Sequence, residues 1–139
     1  MGAVDWGWVM EAMGQAFAPM LLSILRIMSG LLLLQHGTAK YLHLPASAVP
    51  PNFVWNSMPG IAGMIELVGG VLLVMGLFTR PAAFVASGMT AVAYFYAHAP
   101  TGFFPIANRG ELAVLYCFVF LYIAAAGAGP WSIDEVRRK

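Results

Sequence analysis

The chain has 139 residues, of which 60% are hydrophobic and 9% are charged, and its formal net charge is +1. Soluble domains contain about 25% charged residues, so this composition excludes an ordinary soluble domain and indicates an integral membrane protein. The small net charge argues against nucleic-acid binding, which requires a basic patch or stripe. The single cysteine, Cys117, excludes an intramolecular disulfide, a CxxC redox pair and a cysteine-based zinc site, and no metal site is expected.

Residues 1–19 carry apolar side chains at helical spacing, with two acids and a glutamine among them. This pattern predicts an amphipathic helix that lies in the membrane interface and ends at Pro19. It differs from a signal peptide, because it has no basic region at its start and carries acids. A soluble lid or a frayed terminus is the alternative. The apolar positions are Trp6, Val9, Met10, Met13 and Phe17.

Residues 20–42 form the first predicted membrane span, an apolar segment that contains Arg26, His36 and Lys40. About 20 apolar residues cross a bilayer as a helix of about 30 Å. An ionisable side chain inside a span costs at least a few kcal/mol and normally faces the protein interior, so it is a functional-site hypothesis. Arg26 lies deep and is interpreted as structural, whereas His36 and Lys40 lie near the outer end.

Three further spans are predicted after a polar loop, residues 43–59, which is a candidate cap over a site. The second span begins near Gly60, the third begins at Pro81 and the fourth covers residues 111–126. The short turn at Arg80 makes the second and third spans antiparallel neighbours. The predicted fold is therefore all-α, an antiparallel four-helix transmembrane bundle divided into an interfacial helix (1–19), the bundle (20–128) and a cytoplasmic tail (129–139).

Lysine and arginine residues are concentrated on the side of the predicted bundle that holds both termini. Arg80 and the basic residues 137–139 lie on that side, whereas Arg109 and Lys40 lie towards the other. The positive-inside rule then places both termini in the cytoplasm of a multi-pass protein of the plasma (inner) membrane, surrounded by lipid. Glycines such as Gly63 permit close helix contacts within or between chains, so a homo-oligomer is left open.

The ionisable side chains of the predicted helices converge in the outer part of the bundle, because helical phase gives each helix one polar stripe. Carboxylates that face a lysine and an arginine form a charge-balanced cluster, which suits ionised groups at low dielectric. Histidines, aromatic walls and hydrogen-bond donors suit a quinone head group or a small anion. Alternatively, these charges only hold the helices in register. The predicted site residues are His36, Lys40, Glu66, Tyr94, His98, Arg109 and Glu111.

A family resemblance is carried by four segments, LRIMSGLLLLQHGTAK, GMIELVGGVLLVMGLFTRPAA, NRGELAVLYCF and GPWSIDE. Together they resemble the DoxX family of small four-helix membrane proteins over residues 20–136. By this resemblance Asn108 joins the predicted site, and Asp134 joins Arg26 and Arg80 as a structural charge pair. The resemblance implies association with membrane redox systems, including the small subunit of a thiosulfate:quinone oxidoreductase and partners of thiol- or superoxide-handling proteins. Many members of the family have no assigned activity.

The predicted function is a membrane subunit or anchor of a redox system with an outer pocket that binds a quinone. His36 and Lys40 would donate hydrogen bonds to a quinone oxygen, while Glu66 and Glu111 would relay protons. Electrons would come from a redox-protein partner, because the chain contains no flavin or iron–sulfur motif. Whether the chain is itself an enzyme is left open.

Three alternatives are also left open. A haem between His36 and His98 is disfavoured, because neither helix supplies a second histidine. The chain could be a non-catalytic scaffold that recruits soluble redox partners through its N-terminal segment and its tail. It could also handle a small solute or an ion, although charges at one end of four helices give little sign of a path through them.

Overall fold

The computed structural model describes residues 5–48 and 53–139. Within these ranges the chain is helical and has no β-strand, which confirms the all-α class. One 3₁₀ turn (Ala46–Ala48) follows the first helix, and the third helix continues into a π-helical turn (Tyr94–His98) and a 3₁₀ turn (Ala99–Thr101). The α-helices are α1 (Trp6–Tyr41), α2 (Met58–Met75), α3 (Thr79–Ala93), α4 (Pro105–Asn108), α5 (Glu111–Ala126) and α6 (Ile133–Val136).

Helix α1 starts at Trp6, and the side chain of the preceding Asp5 caps it by accepting hydrogen bonds from the N–H groups of Gly7 and Trp8. It then continues through Pro19, so the prediction that a helix ends at Pro19 is wrong. A proline inside a helix removes one hydrogen bond and favours a bend, but the turns on either side can hold the helix together. The carbonyl of Pro19 still accepts a hydrogen bond, from the Ser23 hydroxyl at 3.2 Å.

The 36 residues of α1 correspond to a length of about 54 Å, well beyond the ~30 Å hydrocarbon core of a bilayer. Nearly all of residues 5–19 are exposed within the chain, whereas buried positions begin at Ser23. The N-terminal part of α1 therefore extends beyond the packed helices. Its location in the membrane interface stays a prediction, and residues 1–4 of that predicted segment lie outside the described residues.

Helices α1 and α2 approach closely in antiparallel order. Gly30 lies against Leu73, near the end of α2, and Gly37 lies against Leu67, nearer its start. A Cβ atom on Gly37 would be 2.5 Å from the backbone nitrogen of Leu67. Small residues let two helix backbones approach in this way, so the glycines of these helices determine the distance between them.

Helices α3 and α5 form the second antiparallel contact. The Arg80 guanidinium donates to the carbonyls of Ala124 (3.0 Å) and Ala125 (2.6 Å), and the Ser87 hydroxyl donates to the carbonyl of Cys117 (2.8 Å). Side chains from α1, α2, α3 and α5 form one hydrophobic core. Its buried members are Leu33, Leu73, Ala82, Ala83, Ala86, Tyr116, Phe120 and Ile123.

Two helices, α1 and α2, are long and apolar enough to cross a membrane, and α5 is a shorter apolar helix. Large apolar side chains also cover the outside of the described helices, from Leu21 on α1 to Phe118 on α5. Soluble proteins bury most such residues. The fold is therefore that of a helical membrane protein with two candidate spans.

One end of the helices is closed by the segment that follows α5. The fully buried Arg26 guanidinium donates to the carbonyls of Val74 (2.9 Å) and Ala128 (2.7 Å), and also to those of Leu73 and Trp131. These bonds join α1, the end of α2 and residues 127–136, named here the C-terminal segment. The buried charge of Arg26 is thus satisfied by backbone carbonyls, as expected for a structural arginine.

Asp134 completes this closure by capping α3. Its carboxylate accepts hydrogen bonds from the N–H groups of Phe78 (2.9 Å) and Thr79 (2.8 Å). Burial by itself would raise the pKa of Asp134, but these backbone bonds and the nearby charge of Arg137 together lower it below its usual value. The carboxylate therefore stays ionised at the N-terminus of α3, where the helix dipole favours it.

The three residues predicted as a structural charge pair thus lie at the same end of the protein, but their hydrogen-bond partners are not those predicted. Among the described residues, Arg26, Arg80 and Asp134 form no ion pair with one another; each binds backbone groups instead. Backbone carbonyls and N–H groups left free at the helix ends supply the partners.

Candidate functional site

The site is built around a buried ion pair between α1 and α2. The Lys40 ammonium lies 2.8 Å and 2.7 Å from the two carboxylate oxygens of Glu66. The two side chains are only 15% and 10% exposed. Gly63 makes the arrangement possible, since a Cβ atom there would be 2.8 Å from the Cδ atom of Lys40. The sequence thus positions one ionised pair on adjacent helices, at the end opposite the C-terminal segment.

A cavity of about 340 Å³ borders this pair, and we call it the histidine cavity. It contains five of the eight predicted site residues, supplied by α1, α2, the π-helical turn and the residue after α4. Their convergence agrees with the helical phases in the sequence. The polar members are His36, Lys40, Glu66, His98, Arg109 and Thr90, and the others are Leu33, Met89, Ala93, Leu112, Ala113 and Tyr116.

The tautomer of His98 follows from its hydrogen bond. Its Nδ1 atom lies 3.0 Å from the carbonyl oxygen of Asn108. A carbonyl can only accept, so Nδ1 carries the proton and Nε2 is the acceptor in the neutral ring. His98 therefore offers the cavity a group that can accept a proton.

Tyr94 and Asn108 do not line the cavity; they hold the loop beside it. The Tyr94 hydroxyl donates to the carbonyl of Phe103, and the Asn108 amide donates to that of Gly102 at 2.6 Å. The Asn108 side-chain oxygen also accepts from the N–H of Gly110 at 2.8 Å. Both residues therefore position the backbone that carries His98 and Arg109, rather than meeting a ligand.

Glu111 lies apart from the other predicted site residues. Its side chain is exposed in the first turn of α5, and it does not line the histidine cavity. Without Glu111 the cavity has one carboxylate, Glu66, against the two cations Lys40 and Arg109, which leaves one net positive charge when both histidines are neutral. The cavity is thus suited to a ligand that carries or develops negative charge.

The predicted cap does not cover this cavity where the structure describes it. Phe53 packs edge to face on Tyr41 with ring centroids 5.3 Å apart, and the Tyr41 hydroxyl donates to the Gly60 carbonyl at 2.9 Å. Residues 53–57 therefore lie at the junction of α1 and α2. Residues 49–52 of the predicted cap lie outside the described residues.

Another cavity borders the same ion pair, and sequence reasoning missed it. It is a groove of about 480 Å³ between α2 and α3, named here the α2–α3 groove. Lys40 and Glu66 lie at it, and the rest of its lining is almost wholly apolar. One glycine in its lining, Gly88, was the available signal, but a glycine alone indicates close packing as readily as open space.

These features define a helical membrane protein with a buried charge pair between two cavities. The DoxX family model matches residues 21–99, more than half of the chain, so the chain belongs to the DoxX family. An uncharacterized protein of Haemophilus influenzae is 48% identical over 125 residues, which cover 87% of this chain and 93% of that protein. An uncharacterized membrane protein of Mycobacterium tuberculosis is 28% identical, with 96% of this chain and 88% of that protein covered. No solved structure matches the chain.

Proposed function

We propose that the protein is a quinone-binding membrane subunit or anchor of a redox system, and that the quinone head group binds in the histidine cavity. The observation that carries this proposal is the convergence of His36, Lys40, Glu66, His98 and Arg109 on one cavity. Residues with proton-carrying and hydrogen-bonding side chains rarely line a membrane-embedded volume without a function.

The proposal includes four membrane spans with both termini in the cytoplasm. The antiparallel contacts of α1 with α2 and of α3 with α5 support this arrangement. Arg80 and residues 137–139 then lie on the cytoplasmic side, as the positive-inside rule requires. Alkaline phosphatase fused after Lys139 should be inactive and a fluorescent protein fused there should fluoresce; the opposite result would reverse the orientation.

The chemistry of the cavity fits quinone reduction or quinol oxidation. A lysine ammonium has three N–H donors, and the two bonds to Glu66 leave a third for a quinone oxygen. The positive charge of Arg109 stabilises the negative charge that develops on that oxygen. Reduction to the quinol takes up two electrons, from a partner redox protein, and two protons, for which His36, Glu66 and His98 are the carriers that line the cavity.

Quinone titration of the purified protein in lipid nanodiscs tests this proposal. His36→Asn and His98→Asn should each weaken binding of a short-chain ubiquinone about tenfold, equivalent to about 1.4 kcal/mol. His43→Asn is the matched control, because His43 is exposed, as His36 is, but does not line the histidine cavity. Asparagine also tolerates its positive φ of 54°. If the wild-type protein binds no quinone, or if all three variants bind equally, the proposal is wrong.

A non-catalytic scaffold is the second candidate, and one observation favours it. The N-terminal part of α1 presents large apolar side chains that no described part of the chain covers, with Trp6 71% and Trp8 69% exposed. Such a segment can lie on the membrane or bind another protein. Deletion of residues 1–18 should release a bound redox partner and leave quinone binding intact if recruitment is its role.

A further inference from the structure

The α2–α3 groove continues along the two helices beyond the ion pair. A second, wholly apolar cavity of about 440 Å³ lies beside it, and Ile65 and Val85 line both. The second cavity extends to Phe78, at the turn between α2 and α3. The two cavities adjoin at these side chains and are together called the channel, which runs along the side of the protein from Lys40–Glu66 to Phe78.

Two glycines keep this channel open. A Cβ atom on Gly69 or Gly88 would meet no other atom within 4 Å, and these glycines line the second cavity and the groove respectively. Gly37 and Gly70 are different, because a Cβ atom on either would collide with the backbone of the neighbouring helix. Gly69 and Gly88 thus lie beside empty space rather than at a helix contact.

The Lys40–Glu66 pair is the charged feature among the described residues that line this channel, which also include Tyr96, and the pair borders the histidine cavity as well. A molecule that lies across the pair would therefore have a polar part in the histidine cavity and a hydrocarbon part in the channel. The apolar face of a second protein chain would not use the N–H group of Lys40 that its two bonds to Glu66 leave available, whereas a polar head group would. The charge and the apolar lining together favour an amphiphile.

We infer that the α2–α3 groove holds the isoprenoid chain of the quinone, which enters from the lipid between α2 and α3 and places its head at Lys40. This inference rests on the proposed function and adds the ligand class, a long-chain lipid-soluble quinone, and its route. The histidine cavity is then the side from which protons reach the head group.

The test uses Gly69→Leu and Gly88→Leu, which fill the channel without touching the ion pair. Leucine is a better helix former than glycine, and a Cβ atom at either position meets no neighbouring atom within 4 Å, so the variants should fold. Gly14→Leu is the matched control, since Gly14 is a helical glycine with equally open surroundings and lies outside the groove. The probes are ubiquinone with a full isoprenoid chain and the corresponding benzoquinone without it.

The groove variants should bind the long-chain quinone about tenfold more weakly than wild type or Gly14→Leu, equivalent to about 1.4 kcal/mol, and should bind the chainless quinone as wild type does. Equal long-chain binding by all variants, with head-group binding intact, would overturn the inference and leave the proposed function standing. Failure of wild type to bind either quinone would overturn both. A co-purified phospholipid that Gly88→Leu displaces, found by native mass spectrometry, would overturn the quinone assignment.

Discussion

The two ends of the protein use buried charge in opposite ways. At the end closed by the C-terminal segment, the buried Arg26 and the half-buried Asp134 hydrogen-bond to backbone groups, although Asp134 also borders a cavity of about 550 Å³. At the other end, Lys40 and Glu66 bind each other and border two cavities. Backbone partners fix a charge in one place, whereas a pair beside open volume leaves hydrogen-bonding capacity for a ligand. Neither burial nor adjacent space alone therefore identifies a functional charge; the hydrogen-bond partners of the charge must be considered as well.

The largest expected effect lies at the closed end. Arg26→Leu would leave the carbonyls of Leu73, Val74, Ala128 and Trp131 without their donor. Leaving one buried carbonyl without its donor costs about 1–3 kcal/mol, and four carbonyls are affected, so we expect the protein to unfold far more readily in a denaturing-detergent titration. Quinone affinity per folded molecule should be unchanged. An Arg26→Leu protein of wild-type stability would show that this end is not held by Arg26.

Substitution within the Lys40–Glu66 pair should cause a smaller loss of stability than Arg26→Leu but a complete loss of quinone binding. Glu66→Gln leaves the Lys40 charge unpaired, which costs about 3 kcal/mol, less than at Arg26 because both side chains border cavities. The double variant Lys40→Met with Glu66→Leu should recover stability to within about 1 kcal/mol of wild type and still bind no quinone. If the double variant binds quinone normally, the pair is only structural, and the contrast between the two ends fails.

Asp134 gives an intermediate effect that depends on pH. Asp134→Asn weakens the cap on α3 and should cost about 1 kcal/mol. Because the pKa of Asp134 is lowered in the folded protein, its contribution is present above the ordinary aspartate pKa and is lost as the pH falls through the lowered value. Thermal unfolding of wild type between pH 6 and about pH 3 should therefore show a destabilisation that Asp134→Asn lacks. If wild type and Asp134→Asn lose stability in parallel as the pH falls, Asp134 does not make this pH-dependent contribution.

The sequence was sufficient for the helical class and for the convergence of His36, Lys40, Glu66 and His98, because both follow from apolar segments and helical phase. The prediction that a helix ends at Pro19 was wrong, because the helical turns on both sides override the local tendency of proline to end a helix. Such competition between local preference and the rest of the structure cannot be resolved within one segment.

Loop conformations and the empty space between helices were the other features that could not be predicted from the sequence. Helical phase cannot show that Tyr94 and Asn108 turn towards a loop, because the π-helical turn and α4 change the direction of the chain there. Nor can a sequence distinguish Gly70, which touches α1, from Gly88, which faces open volume. The α2–α3 groove therefore appears only when the distances between helices are known.

Substitution of Glu111 has the smallest expected effect on stability. It also tests whether the site extends beyond the residues that line the histidine cavity. Sequence reasoning placed its carboxylate in the pocket, but the side chain is exposed in the first turn of α5. There it interacts with the helix dipole, so Glu111→Gln should cost about 0.5 kcal/mol and leave quinone affinity unchanged. Glu66→Gln, the matched change at the other carboxylate, should abolish binding. A loss of quinone affinity in Glu111→Gln would extend the site beyond the histidine cavity and restore the second carboxylate to the proton path.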